Sequence, residues 1–226
     1  MADFTTLSDY SWVLLVFIFG YFIGRYRSRY RGAENRGEAD VRYALMKFCK
    51  DNNAHLMNNI TLRLEDKSTT QIDHILISKR GIFVIETKHY NWWIFANPRS
   101  KNWLLTTYTG KYNFQNPIFQ NYRHVRAIQK TLDFIETQHI HNIVVFTGTA
   151  VFKNTKPHNV YYLEELIPAI EKYPDGALSL NRVQFCVGRL EYLRLALTRE
   201  TDVEHQTYLT KRHGNYYNSS NGHQLP

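Results

Sequence analysis

Residues 71–90 read QIDHILISKRGIFVIETKHY, and this stretch decides the fold. Two runs rich in isoleucine, leucine, valine and phenylalanine flank a Ser-Lys-Arg-Gly segment at positions 78–81. β-Branched residues are frequent in both runs, which favours strands over helix. Gly81 can adopt the positive φ that a type I turn with a bulge requires. The stretch therefore predicts a buried β-hairpin.

The register of this hairpin follows from pairing Ser78 with Gly81. Counting outward from the turn, Asp73 then lies opposite Glu86. Opposed residues share one face of an antiparallel pair, and side chains alternate along each strand. Lys88 therefore joins the two carboxylates at the open end of the hairpin. A bulge would shift this pairing by one residue.

Charged side chains at the end of a buried hairpin point to a binding site. Two opposed carboxylates repel each other unless a cation or a proton lies between them. Oxygen ligands from Asp73 and Glu86 suit Mg²⁺, which keeps several waters and often binds phosphate as well. Lys88 would then stabilise a phosphate oxygen, or position or activate a water. The alternative is an ordinary salt bridge between Lys88 and one of the carboxylates.

A helix is predicted before the hairpin. Val41, Leu45 and Phe48 recur at i, i+4 and i+7, which is the spacing of a buried stripe. Glu38 lies one turn earlier on the same stripe. Its carboxylate either reaches the end of the sheet or complements the helix dipole in the first turn.

A second helix is predicted after the hairpin. Asn116 serves as its N-cap and Pro117 as its first residue, and the helix is expected to run to about Thr137. Its core stripe comprises Val125, Ile128, Leu132 and Ile135. Gln120 and His124 lie one turn apart on a neighbouring face. Gln120 either holds an attacking or metal-bound water or is an exposed amide.

The ordered set of these motifs resembles the nuclease-related domain, NERD, of the PD-(D/E)XK nuclease superfamily. The resemblance covers residues 33–150 and rests on Gly37-Glu38, QIDHILIS, GIFVIETKHY, Asn116-Pro117 and Gln120-Asn121. It implies an α/β fold with a restriction-endonuclease-like core, in which helices flank a mixed β-sheet. One departure is visible, because the chain reads Asn91-Trp92-Trp93-Ile94 where such domains usually carry a glycine in a G-x-I-like turn.

The same resemblance implies a role for each residue of the site. Asp73 and Glu86 would bind the metal, with the backbone carbonyl of Thr87 as a further ligand. Lys88 would be the catalytic lysine, and Glu38 and Gln120 match further positions around the site.

The activity implied by the resemblance is hydrolysis of phosphodiester bonds in DNA, with Mg²⁺ as the cofactor and Mn²⁺ as its substitute. One alternative is a non-catalytic, membrane-tethered module that binds nucleic acid or a protein partner on the same fold. Another is a membrane-associated scaffold whose acidic site is a structural ion cluster.

An unbroken apolar run, WVLLVFIFGYFI, occupies residues 12–23. Four arginines follow within residues 25–31, and no Lys or Arg precedes the run. The positive-inside rule therefore predicts a single-pass anchor in the cell membrane, with the bulk of the protein in the cytoplasm. A cleaved signal peptide would carry its basic residues first, and a buried soluble helix would show a polar face.

The predicted organisation has six segments. They are an extracytoplasmic segment at 1–10, the transmembrane anchor at 11–24, a basic linker at 25–36, the nuclease-like core at 37–155, a mostly helical region at 156–210 and a disordered tail at 211–226. Strands are expected around Trp103-Leu104-Leu105 and at 143–146. Helices are expected at 163–173 and 181–198, the latter with a stripe of Leu190, Leu193 and Leu197.

Composition narrows the choice of partner. The chain has 226 residues and a net charge of +8, which favours polyanions such as nucleic acid or anionic lipid. Aromatic residues make up 15%, and those after the site either stack on bases or, as is more usual in strands, pack in the core. Its two cysteines form no metal-binding pair, and no zinc motif, phosphate-binding glycine loop or serine-nucleophile elbow occurs.

Overall fold

The computed structural model describes residues 36–196. Its helices are α1 (Arg36–Asn52), α2 (Pro117–Thr131), α3 (Leu163–Glu171) and α4 (Leu180–Leu193), with a 3-10 turn at Thr137–His139. Its strands are β1 (His55–Arg63), β2 (Thr69–Ser78), β3 (Gly81–His89), β4 (Trp92–Phe95), β5 (Asn102–Thr106), β6 (Lys111–Gln115), β7 (Ile140–Thr147), β8 (Ala150–Phe152) and β9 (Val160–Tyr162).

The predicted membrane anchor and disordered tail lie outside the described residues. Between residues 36 and 196, no helix has the length and apolar character needed to cross a membrane.

The larger sheet has five strands in the order β1-β2-β3-β7-β9. Strands β1 to β3 pair antiparallel, whereas β7 pairs in parallel with both β3 and β9. Helices α2 and α4 cover one face, where Ile128 and Val183 share a core with Ile75. Helices α1 and α3 cover the other face, where Leu45 and Leu166 share a core with Leu76. The expected mixed sheet flanked by helices is confirmed.

The hairpin of β2 and β3 has the predicted register. Ser78 pairs with Gly81, and the paired ladder ends at His74 and Ile85. Successive residues from 75 to 77 and from 82 to 85 enter the two cores alternately. Both faces of the hairpin are therefore buried, which explains its nearly continuous apolar sequence.

The turn of this hairpin needs its glycine. Gly81 has a φ of +133°, in a region that L side chains rarely adopt. A Cβ at this position would lie 2.9 Å from the carbonyl oxygen of His139 and 2.9 Å from Nε2 of His141. The turn is thus packed against the start of β7.

A second, four-stranded sheet, in the order β6-β5-β4-β8, was not predicted as a separate layer. Its centre, β5, contains the predicted Trp103-Leu104-Leu105 strand. The sheet forms because the parallel strands β3 and β7 both bend and continue as β4 and β8, which again pair in parallel. Asn91 Oδ1 accepts a hydrogen bond from the backbone N–H of Thr149 (3.0 Å), which ties the two bends together.

Two helices end earlier than the sequence predicts. The expectation that α2 runs to Thr137 is wrong, because it ends at Thr131, although Ile135 of the expected stripe is still buried. The extension of the last helix to Thr198 is also wrong. The helix α4 ends at Leu193, where the chain turns extended and the N–H of Leu195 donates to the carbonyl of Thr61 in β1 (2.9 Å).

The predicted leucine stripe of α4 is confirmed at Leu190, which is buried, and wrong at Leu193. Leu193 is 37% exposed, and the buried face consists of Val183, Cys186 and Leu190. Leu197 lies outside the described residues.

Candidate acidic site at the end of the central hairpin

Asp73 in β2 and Glu86 in β3 lie directly beyond the last paired residues of the hairpin. Asp73 Oδ2 accepts a hydrogen bond from the backbone N–H of Thr87 at 2.8 Å. The carboxylate therefore holds the two strands together where their regular pairing stops. This contact places Asp73 at the open end of the hairpin, as the sequence predicts.

Lys88 connects Glu86 to α2. Its Nζ lies 2.5 Å from Oε1 of Glu86 and 3.0 Å from Oε1 of Gln120. Glu86 is only 2% exposed, so this ion pair is shielded from water. Gln120, which the sequence places on a separate helix, thus meets Glu86 and Lys88 of the hairpin.

His124 is a member of the site that sequence reasoning did not identify. Its Nε2 lies 3.3 Å from Oε2 of Glu86, and its Nδ1 shares a hydrogen bond with Oγ1 of Thr70 at 2.7 Å. The available signal was its spacing of one helical turn from Gln120. Thr70 carried no signal, because it is far from His124 in the sequence.

Two asparagines define helix α2: one caps its start, and the other fixes its position on the sheet. Asn116 caps the helix, accepting from the N–H of Ile118 at 2.9 Å, as predicted. Asn121 is fully buried, and its Nδ2 donates to the carbonyls of Val84 (2.8 Å) and Ile143 (2.9 Å). These bonds set the position from which Gln120 and His124 face β3.

The carboxyl of Asp73 is the least compensated charge of the site. Burial raises its pKa well above the usual range, and the neighbouring charge of Glu86 raises it further. The charge of Glu38 acts in the same direction, so the half-buried first turn of α1 also contributes to the acidic site. The N–H of Thr87 and the charge of Lys88 oppose these effects without cancelling them.

Glu86 and Lys88 form a charged pair. Burial acts to raise the pKa of Glu86, but His124 and Lys88 outweigh burial and lower it. Burial likewise acts to lower the pKa of Lys88, but Glu86 outweighs burial and raises it. Both groups are therefore charged near neutral pH, and the negative charge of Glu86 still repels the carboxylate of Asp73.

The donor set fits a hard divalent cation. Oε2 of Glu86 is buried, and its neighbour Nε2 of His124, 3.3 Å away, makes no hydrogen bond of regular geometry with it. Asp73 needs a proton or a further cation. The part of the chain that the structure describes has no cluster of three or more His, Cys, Asp or Glu residues suited to a metal. A site of two carboxylates suits Mg²⁺, which is usually bound by one or two carboxylates, with waters and substrate phosphates completing its shell.

Comparison with known proteins agrees with the geometry. The nuclease-related domain matches residues 33–147, a range that includes every residue of the acidic site. An uncharacterized protein of Bacillus anthracis is 30% identical over 159 residues, which cover 69% of this chain and 74% of that protein. No solved structure matches the chain. The chain belongs to the nuclease-related domain family.

Proposed function

We propose that this protein is a membrane-anchored, metal-dependent nuclease that hydrolyses phosphodiester bonds in DNA. Membership of a nuclease-related family supports a hydrolase. The observation that carries the proposal is the meeting of Asp73, Glu86 and Lys88 where the pairing of β2 with β3 stops, with Nζ of Lys88 3.0 Å from Oε1 of Gln120. A site that served only to bind nucleic acid would have no need for the buried carboxylate of Glu86 beside the half-buried one of Asp73, because both repel phosphate.

Asp73 and Glu86 would hold Mg²⁺ or Mn²⁺, with the carbonyl of Thr87 as a third protein ligand. When bound, such an ion offsets the carboxylate charge, polarises a phosphate oxygen and lowers the pKa of a bound water. The uncompensated charge at Asp73 supports this assignment.

The side chains around the carboxylates have distinct tasks in this proposal. The ammonium group of Lys88 stabilises the negative charge that develops on the phosphate. Gln120 orients Lys88 through its Oε1, and His124 keeps Glu86 in place. Glu38, on the first turn of α1, orders water next to Asp73.

A cleavage assay tests the proposal. The purified full chain is incubated with supercoiled plasmid and with single-stranded DNA in Mg²⁺, Mn²⁺ or EDTA. We expect cutting with either metal and none with EDTA. Glu86→Gln and Lys88→Gln should each lower the rate by roughly 10²- to 10³-fold, since each removes a charge that acts on the transition state.

The matched control is Lys130→Gln. Lys130 also pairs with a glutamate, Glu65 at 2.5 Å, but on the exposed surface of α2. It should keep wild-type activity, and circular dichroism should show that all three variants fold. Wild-type protein that binds DNA yet never cuts it with either metal would be a non-catalytic binding module instead.

A further inference from the structure

The second sheet has one covered face and one exposed face. Ile94, Trp103 and Ala150 point inward and pack against Val144 and Phe146 of the larger sheet's β7. Because side chains alternate along strands, their neighbours point outward. The outward residues include Trp93, Phe95 and Val151, which are 50%, 40% and 46% exposed.

These outward residues form a continuous surface. Trp93 of β4 pairs with Val151 of β8 on one side and with Thr106 of β5 on the other. Phe95 pairs with Leu104 in the same way. Trp93, Phe95, Leu104 and Val151 are here called the aromatic platform. Exposed apolar surface of this kind marks an interaction site more often than an isolated exposed side chain does.

The strands and loops of the second sheet carry charge of one sign. Residues 92–115 and 150–159, which contain all four strands of the sheet and their loops, include no Asp or Glu. The exposed basic residues of these two segments are Arg99, Lys101, Lys111 and Lys153. Nζ of Lys153 lies 4.4 Å from the centre of the Trp93 ring, so positive charge reaches the platform itself. This surface complements a chain of phosphates.

Trp92, next to the aromatic platform, adds aromatic surface although its backbone conformation is unfavourable for a residue with a side chain. Trp92 has a φ of +79°, in the left-handed region that favours glycine. Its ring contacts Tyr108 edge-on, with centroids 4.1 Å apart, and Tyr108 is 87% exposed.

The second sheet is joined at both ends to the acidic site. Its strand β4 follows β3, so that three residues separate Lys88 from Trp92. Its strand β6 leads directly into α2, which carries Gln120. The cap residue Asn116 also donates to the carbonyl of Ser100 in the β4–β5 loop at 2.8 Å.

We propose that the aromatic platform binds single-stranded nucleic acid, with bases stacking on Trp93 and Phe95 and phosphates meeting Lys111 and Lys153. Single strands are favoured because their bases offer free ring faces, which a duplex buries in its own stack. The inference rests on the proposed function, since it names the form of substrate that is led to the acidic site. An anionic lipid surface would also attract aromatic and basic side chains, but the direct connection to Lys88 and Gln120 favours nucleic acid.

Fluorescence anisotropy with a labelled oligo(dT) tests this inference. The full chain is kept in non-ionic detergent with EDTA, so that binding is measured without cleavage. Trp93→Ala should raise the dissociation constant by roughly 5- to 150-fold, which is the range expected for the loss of one stacked base. Trp93→Tyr should restore most of the affinity, and Lys153→Gln should reduce the salt slope by about 0.7.

The control is Tyr192→Ala, which removes an aromatic ring that is 83% exposed on α4, away from the second sheet. It should leave oligo(dT) binding unchanged, and a duplex of the same length should bind more weakly than oligo(dT). The inference is overturned if the wild type does not bind oligo(dT), or if Trp93→Ala and Phe95→Ala both bind it as the wild type does. The platform would be a lipid-binding surface instead if the wild type does not bind oligo(dT) and phosphatidylglycerol vesicles protect the fluorescence of Trp93 from quenching by acrylamide.

The two proposals fail separately. If oligo(dT) binding depends on Trp93 but no metal supports cutting, the aromatic platform stands and the nuclease proposal falls. If Glu86-dependent cutting is observed and oligo(dT) binding ignores Trp93 and Phe95, the reverse holds.

Discussion

At the scale of single residues, the site is a problem of charge compensation. The ammonium group of Lys88 lies 2.5 Å from Glu86 and offsets its negative charge. The carboxyl of Asp73 has no such partner, and both burial and the charge of Glu86 raise its pKa. Strand alternation was enough to predict that these three side chains meet. It was not enough to find His124, because its contacts with Glu86 and Thr70 arise only when α2 packs on the sheet.

A half-buried histidine, His141, gives a pH dependence of stability that is independent of the acidic site. Burial, and to a lesser extent the charge of His139, lowers the pKa of His141 to about 4. The unfolded chain takes up this proton near pH 6.5. The associated stability is therefore complete above pH 6.5 and is lost as the pH falls towards 4.

We expect His141→Phe to reduce the loss of stability between pH 7 and pH 4.5 by roughly 1–2 kcal/mol, allowing for partial exposure of the ring. Phenylalanine preserves the ring packing between Phe83 and Tyr173, whose centroids lie 5.0 and 4.0 Å from that of His141. Urea unfolding at the two pH values measures the effect. The exposed His158→Gln serves as the control, and an equal pH effect in both variants would contradict the assignment.

At the scale of elements, local signals were sufficient wherever a local cause decides the structure. The stripe Val41, Leu45 and Phe48 is buried in α1, and Asn116 caps α2 through its own side chain. The end of α4 was not predicted because it depends on a residue distant in the sequence: the carbonyl of Thr61 accepts a hydrogen bond from the N–H of Leu195. No spacing within the helix sequence reports such a contact.

Two glycines should respond in opposite directions to the same substitution. Gly81→Ala places a methyl group at a φ of +133° and 2.9 Å from the backbone of His139, so we expect a loss of about 1–3 kcal/mol. Gly188→Ala lies inside α4 with nothing within 4 Å, so we expect a gain of about 0.5–1 kcal/mol. Chemical denaturation of both variants decides the matter. Equal effects of the same sign would mean that the packing of the hairpin turn is not as described.

At the scale of the whole molecule, the second sheet is the feature that the sequence did not reveal. Its strand β4 pairs Trp92 with Ala150 of β8, which is 58 residues further along the chain. Such a pairing depends on the joint bend of β3 and β7, which leaves no periodic pattern in a strand of four residues. The main sheet was accessible because its central hairpin is local.

Residues 1–35 carry the remaining whole-molecule prediction, which rests on sequence alone. We expect the full chain to stay in the membrane pellet after alkaline carbonate extraction, and a chain lacking residues 1–24 to appear in the supernatant. A tag at the C-terminus should resist protease added to intact cells, because the positive-inside rule places that end in the cytoplasm. Recovery of the full chain in the supernatant would remove the anchor from the proposal.

The joint between the two sheets has a fixed length. Tyr90 and Asn91 alone separate β3 from β4, and on the partner strand Gly148 and Thr149 do the same between β7 and β8. Loss or gain of one residue in either spacer would invert the pleat of the strand that follows it. Between β3 and β4, this change would send Ile94 into solvent and Trp93 into the interior. Descendants of this sequence therefore cannot change the residue count of the joint without losing the packing of the second sheet.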